Sequence, residues 1–153
     1  MIIEATASEL RKTGISVIGE VRWGTHFCYF YETKQDLLET LVLYFKEGLE
    51  SKEFCVWVVS PALSLEEAKH ALRQTVPELE RHLEEGHLEI HGNDEWYLRN
   101  GRWDPQRVLQ FWREKLDHGL AKSYAGLRAA GDGGWVRNDD WMAFREYEEQ
   151  VNA

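Results

Sequence analysis

The amino-acid sequence predicts an α/β protein, a three-layer sandwich built on a central, mainly parallel sheet of at least four strands. Three observations lead to this fold class. The chain has 153 residues, which fits one domain with a core of its own. Short segments with almost no charge alternate along the chain with amphipathic ones. Strand and helix signals follow one another four times, and this alternation is typical of a parallel sheet with right-handed crossovers and helices on both faces.

Four segments are predicted as the strands of this sheet. Residues 25–31 are aromatic and nearly uncharged, and residues 54–59 are apolar throughout. Because the strands of a parallel sheet are covered on both faces, uninterrupted apolar segments are typical of them. Residues 87–91 alternate between polar and apolar side chains and predict a third strand. Residues 126–130 are mostly small and apolar and predict a fourth.

The helix starts carry recognisable capping signals. Thr33 and Ser64 each open a capping box, in which an acidic residue follows three positions later. Asp104 precedes a proline, which is favoured at the first position of a helix. A last helix is predicted to run to the C-terminus from a cap at Asp139 or Asp140.

The first 22 residues differ from the rest of the chain because they carry no strong core signal. We therefore expect residues 1–22 to be an N-terminal arm or linker and residues 23–153 to be the main domain. Within the arm, residues 5–13 have the composition of a short helix, which Gly14 would end.

Composition narrows the class of protein. The net charge is −9 and the pI is near 5.2. Since a negatively charged protein surface repels phosphate backbones, we expect no direct nucleic-acid binding. No apolar run approaches the roughly 20 residues that a membrane helix needs, and the N-terminus lacks the pattern of a secretory signal. Cys28 and Cys55 lie in apolar runs without C-x-x-C spacing, which predicts buried, reduced thiols in a cytoplasmic protein.

The predicted ligand-binding edge is the carboxyl end of the sheet, where open parallel sheets bind ligands. The loops there are acidic and aromatic, with several glycines, and this suits a small cationic or weakly polar organic ligand. The alternative is that these are solvated loop charges. The positions concerned are Tyr31, Glu32, Thr33, Ser60, Pro61, Asn93, Asp94, Glu95, Trp96 and residues 131–135.

The first strand-to-helix turn excludes one class of enzyme. A phosphate-binding loop of the Walker type needs glycines whose backbone amides wrap the phosphate, followed by lysine and serine or threonine. Residues 31–36 contain no glycine and two carboxylates. Nucleotide hydrolysis of this type is therefore excluded. No nucleophile arrangement can be recognised from spacing either, so we expect no catalytic residues and no enzyme.

Two further groups have a functional and a structural interpretation. His26 and Cys28 share a face of the first predicted strand, and with Cys55 they form a candidate metal or redox site. A histidine packed beside a buried thiol is the preferred interpretation, so no metal and no cofactor is assigned. Arg128 is costly to bury unless it is paired, and Asp132 or Glu32 is the expected partner. It is either a structural ion pair or, as we prefer, a pocket residue that orients a ligand.

Several short segments, in order, resemble one known family, the MEDS domain (methanogen/methylotroph, DcmR-like sensory domain). The resemblance covers about residue 23 to the C-terminus. It is carried by residues 24–28, Tyr31, residues 36–37, 48–49, 53–58, 86–88, 103–105 and 124–132, Trp135, residues 147–148 and Asn152.

The resemblance implies a sensory input domain of a prokaryotic histidine kinase or transcription regulator that detects small hydrocarbon derivatives. It also implies a fold similar to RecA-like ATPases of the circadian-clock type, without the phosphate loop. The family usually has a glutamate-type residue where Asp132 stands and continues past Asn152, so we expect a truncated chain or a short variant, whose exposed sheet edge would favour a homodimer. Together with the rim, the resemblance gives these predicted ligand-binding residues: His26, Cys28, Tyr31, Glu32, Arg128, Asp132 and Trp135.

Two other hypotheses stay open at this point. The first is a protein-interaction or dimerisation module without a small ligand, which would relay a signal to a kinase or regulator domain; it rests on Trp96, Trp103 and Trp141 being exposed. The second is a metalloprotein or enzyme that uses His26, Cys28 and Cys55.

Overall fold

The computed structural model describes residues 9–151, apart from the side chain of Arg99, and has helices packed on a parallel sheet. The strands are β1 Leu10–Lys12, β2 Glu20–Arg22, β3 Phe54–Val58, β4 Leu88–His91, β5 Leu98–Arg99, β6 Arg102–Trp103 and β7 Leu127–Ala130. The helices are α1 Lys34–Glu50, α2 Leu65–Arg73, α3 Leu79–Glu84, α4 Asn93–Tyr97, α5 Pro105–Ala121 and α6 Trp141–Val151, the last preceded by a 3-10 turn at Asn138–Asp140.

The central sheet has three parallel strands in the order β4-β3-β7. Strand β3 lies in the middle and is buried along its whole length. Its amides alternate between the two neighbours: Phe54 N donates to Gly126 O at 2.9 Å and Cys55 N to His87 O at 3.0 Å. The predicted strands at residues 54–59, 87–91 and 126–130 are thus confirmed.

The predicted first strand is wrong, and no fourth strand joins this sheet within residues 9–151. Residues 25–31, which we call the edge segment, have no regular secondary structure, and Phe30 is 91% exposed. The segment's apolar residues do not all pack inward. In addition, the hydroxyl of Tyr44 donates to Ala129 O at 3.3 Å, which occupies an outward carbonyl of β7 that a fourth strand would use.

The core lies on both faces of the sheet, as predicted. Alternate residues of β3 face opposite sides. Cys55 and Trp57 pack with α1, α2 and α3, whereas Val56 and Val58 pack with α5 and α6. The arrangement of helix layers around β3 therefore follows from one short apolar strand whose side chains point both ways.

The predicted capping signals determine where three helices begin. Thr33 and Asp36 form a capping box before α1, and Ser64 and Glu67 form another before α2. The Asp104 carboxylate accepts from Arg107 N at 3.2 Å before α5. The last helix begins after the 3-10 turn that contains both predicted cap residues.

The described part of the predicted N-terminal arm forms a hairpin of β1 and β2. The predicted short helix is wrong for its described residues 9–13, and residues 5–8 lie outside the described part. Thr13 N donates to Gly19 O at 2.9 Å, so the backbone pairs across the hairpin instead of along a helix. Arg11 Nε lies 3.1 Å from Glu53 Oε1, which holds the hairpin against the sheet.

The two longest helices, α1 and α5, have 17 residues each. Each buries one face against the sheet and exposes polar side chains on the other. Among residues 9–151, no helix is both long enough and apolar enough to cross a membrane.

Candidate functional site

Three polar side chains from distant parts of the chain meet at the carboxyl end of the sheet. The Tyr31 hydroxyl donates to Asp132 Oδ2 at 2.7 Å and lies 3.2 Å from Ser60 Oγ. Ser60 follows β3 and is 3% exposed, and Asp132 follows β7. We call these three residues the rim cluster. It joins the edge segment to the ends of two neighbouring strands, where parallel sheets bind ligands.

The surroundings of the Tyr31 hydroxyl favour its protonated form. Partial burial raises the pKa of Tyr31, its contact with Ser60 opposes this, and its bond to Asp132 adds to it. Tyr31 therefore stays a neutral hydrogen-bond donor. The second carboxylate oxygen of Asp132 accepts from Gly134 N at 2.7 Å, which folds the loop after β7 back over the strand end.

The end of β4 adds an asparagine to this edge. Val58 and His91 are in register, so Ser60 and Asn93 lie at neighbouring strand ends. Asn93 is 6% exposed, and neither its side-chain oxygen nor its nitrogen has a hydrogen-bond partner among the described residues. A buried amide without partners is destabilising, so this site has an unused hydrogen-bonding capacity.

Aromatic side chains lie beside the rim cluster. The rings of Tyr97 and Trp135 stack with centroids 4.8 Å apart, and Trp103 lies 4.6 Å from Trp135. We call these three residues the aromatic wall. A Cβ at Gly131 would overlap the Tyr97 hydroxyl, so the end of β7 can approach the wall only because residue 131 is glycine. The indole N–H groups of Trp103 and Trp135 are buried without partners among the described residues.

Of the predicted ligand-binding residues, Tyr31, Asp132 and Trp135 are at this edge. Tyr31 and Asp132 bond directly. Trp135 reaches the same loop through Tyr97, which touches Gly131. Glu32 is adjacent to Tyr31 in the chain and exposed.

His26, Cys28 and Cys55 do not form the candidate metal site. His26 Nε2 lies 3.4 Å from Glu148 Oε2 on α6, and burial raises the pKa of Glu148. Cys55 is buried, which raises the pKa of its thiol, but Cys28 is exposed, so the prediction of two buried thiols is wrong for Cys28. No group of three or more His, Cys, Asp or Glu in the described chain could hold a metal ion.

Arg128 has a different partner from the two that were predicted. Its Nε bonds Glu53, not Asp132 or Glu32. Its other nitrogens donate to three backbone oxygens, those of Lys12, Thr13 and Tyr44, at 2.7 to 3.0 Å. The guanidinium is thus committed to the junction of the hairpin, α1 and the sheet. This geometry supports the structural interpretation over the predicted role in a ligand pocket.

Three residues at this edge are not among the predicted ligand-binding residues. Ser60 and Asn93 were among the strand-end positions, but nothing in the pattern showed that both would be buried. Tyr97 was missed because its helix, α4, is only five residues long and gives no periodic signal.

Two prominent concavities lie away from the rim cluster. A groove of about 850 Å³ runs between α1 and α2. A smaller one of about 570 Å³ is lined by residues 100 and 102–105, which include Trp103. Neither is lined by Tyr31, Ser60 or Asp132. In the rim cluster, the Tyr31 hydroxyl is instead bonded to Asp132 and in contact with Ser60.

Comparison with known proteins identifies the family. The model of the MEDS family, described as the methanogen/methylotroph, DcmR sensory domain, matches residues 25–153. The chain belongs to the MEDS family. No curated protein and no solved structure matches this MEDS domain. The match begins at the edge segment and includes every residue of the rim cluster and the aromatic wall, whereas the hairpin precedes it.

Proposed function

We propose that this MEDS domain is the signal-input module of a prokaryotic signal-transduction or transcription-regulatory protein, and that it binds a small organic ligand at the rim cluster. The observation that carries the proposal is the direct bond between Tyr31 and Asp132, made beside the buried Ser60 at the carboxyl end of a parallel sheet. The module acts in the cytoplasm without catalysing a reaction. It passes its signal to a kinase or regulator domain.

The edge segment supports this proposal because it lies where a fourth parallel strand would lie. Just before the segment, the ring of Trp23 lies close to Gly126, which precedes β7. In its middle, Phe27 packs edge-on against Tyr44 with centroids 6.1 Å apart. Its end, Tyr31, bonds Asp132 just after β7. The segment thus runs alongside β7 in the same direction, but without a backbone ladder.

This arrangement gives a route from ligand to signal. An unpaired segment moves at lower free-energy cost than a paired strand, because few hydrogen bonds have to be broken. A ligand that competes for Ser60 or Asp132 releases Tyr31 and shifts the edge segment. The movement of the edge segment reaches the hairpin, because Trp23 directly follows β2. The guanidinium of Arg11, on β1, lies 4.9 Å from the centre of the Trp23 ring.

A ligand screen tests the proposal. Thermal unfolding is followed with methylamines, methanol and chlorinated methanes, in the unmodified protein and in Tyr31→Phe. We expect at least one compound to raise the unfolding temperature, because ligands that bind only the folded state stabilise it, and we expect the shift to change strongly in Tyr31→Phe.

Tyr29→Phe is the matched control, since Tyr29 is exposed and its ring stacks on that of Tyr31. It should respond like the unmodified protein. If no compound raises the unfolding temperature of the unmodified protein, ligand binding at the rim cluster is wrong. It is also wrong if a compound that raises it gives the same shift in Tyr31→Phe and in Tyr29→Phe.

The second candidate function, a protein-interaction or dimerisation module, has lost part of its support. Trp96 is 3% exposed and Trp103 is half-buried, so the prediction that they are exposed is wrong. Trp141 and Met142 still form an exposed apolar pair at the start of α6. If a second copy covers this pair, sedimentation shows a dimer that Trp141→Ser disrupts. A monomer at all concentrations contradicts this candidate.

A further inference from the structure

Asn93 is unusual among the polar groups of the described chain because both halves of its side-chain amide are buried and unpaired. An asparagine amide offers one acceptor oxygen and a donor NH2 group. Folding removes both from water, and leaving them unbonded costs free energy. A hydrophobic side chain would avoid that cost. The strand end next to Ser60 therefore carries a polar group that the fold does not use.

We infer that Asn93 is the polar anchor of the ligand site, and that the site takes a small uncharged molecule with a hydrogen-bond donor and acceptor side by side, such as a carboxamide. The inference rests on the proposed function and deepens it, since it names the class of ligand. An amide group on the ligand pairs with both halves of the Asn93 amide at once.

The chemistry of the Asn93 amide favours an uncharged ligand. On β4, the Glu89 carboxylate is already held by Lys115 and lies 2.7 Å from His91 Nε2. Asn93 itself supplies no opposite charge. Because a buried charge is costly without an ionic partner, an amide or a similar neutral group fits this position better than a carboxylate or an ammonium ion.

A second unused donor lies on the same side of α4. Trp96 is three positions after Asn93, and residues so spaced share a helix face. Its indole is almost fully buried, with its N–H unpartnered in the described chain. Its ring is fixed by His91 at 4.8 Å and by Trp112 at 4.6 Å. Trp96 thus adds a second unpaired donor to the helix face that carries Asn93.

The test compares four probes of similar size: acetamide, acetate, acetone and methylammonium. Side-chain amide and indole resonances are followed by two-dimensional nitrogen–proton NMR. We expect acetamide to shift the Asn93 amide signals at lower concentration than the other three. In Asn93→Leu its apparent affinity should fall about tenfold or more, which corresponds to the loss of one or two hydrogen bonds.

The ligand-free protein gives an independent measurement. Asn93→Leu removes an unsatisfied buried amide, so its unfolding temperature should rise, whereas Asn138→Leu at an exposed position should leave it nearly unchanged. If Asn93→Leu lowers the unfolding temperature, the asparagine is a structural residue and the inference is wrong.

The two proposals fail in different ways. The inference about Asn93 is wrong if acetate or methylammonium binds more tightly than acetamide, or if only compounds without an amide bind at the rim cluster. The proposed sensory function is not contradicted by either result. If no compound in either series binds, both fall.

Discussion

Arg128 and Glu53 form a buried ion pair that joins three parts of the molecule. Both side chains are almost fully buried, and the guanidinium also lies over the ring of Tyr44 at 4.6 Å. Gly48 of α1 makes room for it, since a Cβ there would lie 2.5 Å from Arg128 Cδ. A buried charge is costly unless it is paired and hydrogen-bonded, and here the partners come from the hairpin, from α1 and from Glu53 just before β3.

Removing the arginine should therefore be strongly destabilising. In Arg128→Met the Glu53 carboxylate stays buried with Arg11 as its remaining partner, and we expect the free energy of unfolding to fall by about 3 kcal/mol or more. The matched control is Arg81→Met, whose pair with Glu85 is exposed and should contribute little to stability. Urea unfolding measures both. Similar losses in the two variants would contradict the structural role of Arg128.

Glu89 should make stability depend on pH in the acid range. His91 lowers its pKa by hydrogen bonding and Lys115 lowers it further, against the effect of burial, to about 2. A carboxylate whose pKa is lower in the folded state stabilises the fold above its unfolded pKa, here about 4.5, and loses this contribution as the pH falls towards the folded value.

The expected result is a pH-dependent difference between the unmodified protein and Glu89→Gln. The difference in free energy of unfolding should be largest above about pH 4.5 and should shrink steadily towards about pH 2. Urea titrations at several pH values measure it. A difference that stays constant over this range would show that the Glu89 carboxylate is not stabilised by its neighbours.

At the scale of elements, β7 has two different sides. The bond from Phe54 N to Gly126 O, together with the register of β3 and β7, directs the amides of Arg128 and Ala130 towards β3 and those of Leu127 and Ala129 outward. The outward side faces the edge segment, which has no ladder with it.

Hydrogen exchange measures this difference. We expect the amides of Leu127 and Ala129 to exchange on the order of tenfold faster than those of Arg128 and Ala130, because only the latter two are bonded within the sheet. Equal, slow exchange at all four would mean that residues 25–31 pair as a fourth strand after all.

The elements show which local signals are decisive. Residues 54–58 carry apolar side chains on both faces of the strand. Because this pattern is typical of a strand that is covered on both faces, β3 could be predicted. The capping boxes at Thr33 and Ser64 are local hydrogen-bond patterns and also need no tertiary information. The edge segment has a similar composition to β3, but whether it pairs depends on Tyr44 and β7, which lie far away in sequence.

At the scale of the whole molecule, the position of the candidate site followed from topology. Parallel strands bring their carboxyl ends to one edge, so Ser60 and Asp132 could be placed together from strand assignments alone. Tyr31 reaches the same edge from a segment that was wrongly predicted as a strand. The unpaired amide of Asn93 could not be foreseen, because burial and missing partners depend on the packing of α4 and α5. The same holds for Arg128, whose partner Glu53 is 75 positions away.

The molecule also carries its own reporters of ligand binding. Of its seven tryptophans, Trp103 and Trp135 belong to the aromatic wall, and Trp96 lies on the face of Asn93. Trp141 is 58% exposed and is one ring removed from the aromatic wall, since it packs on Phe144, which in turn packs on Trp103 and Trp135. A ligand at the rim should therefore affect some indoles and not others.

The most direct test of the central claim is an NMR titration with the compound that stabilises the protein most in the thermal screen, followed at the indole N–H signals and, for the groove between α1 and α2, at the backbone amides. If the ligand binds at the rim cluster, the signals of Trp96, Trp103 and Trp135 shift together with saturating concentration dependence, and that of Trp141 stays in place. If the compound instead shifts only Trp141, or shifts residues of the groove between α1 and α2 while these three indoles stay unchanged, the rim cluster is not the ligand site.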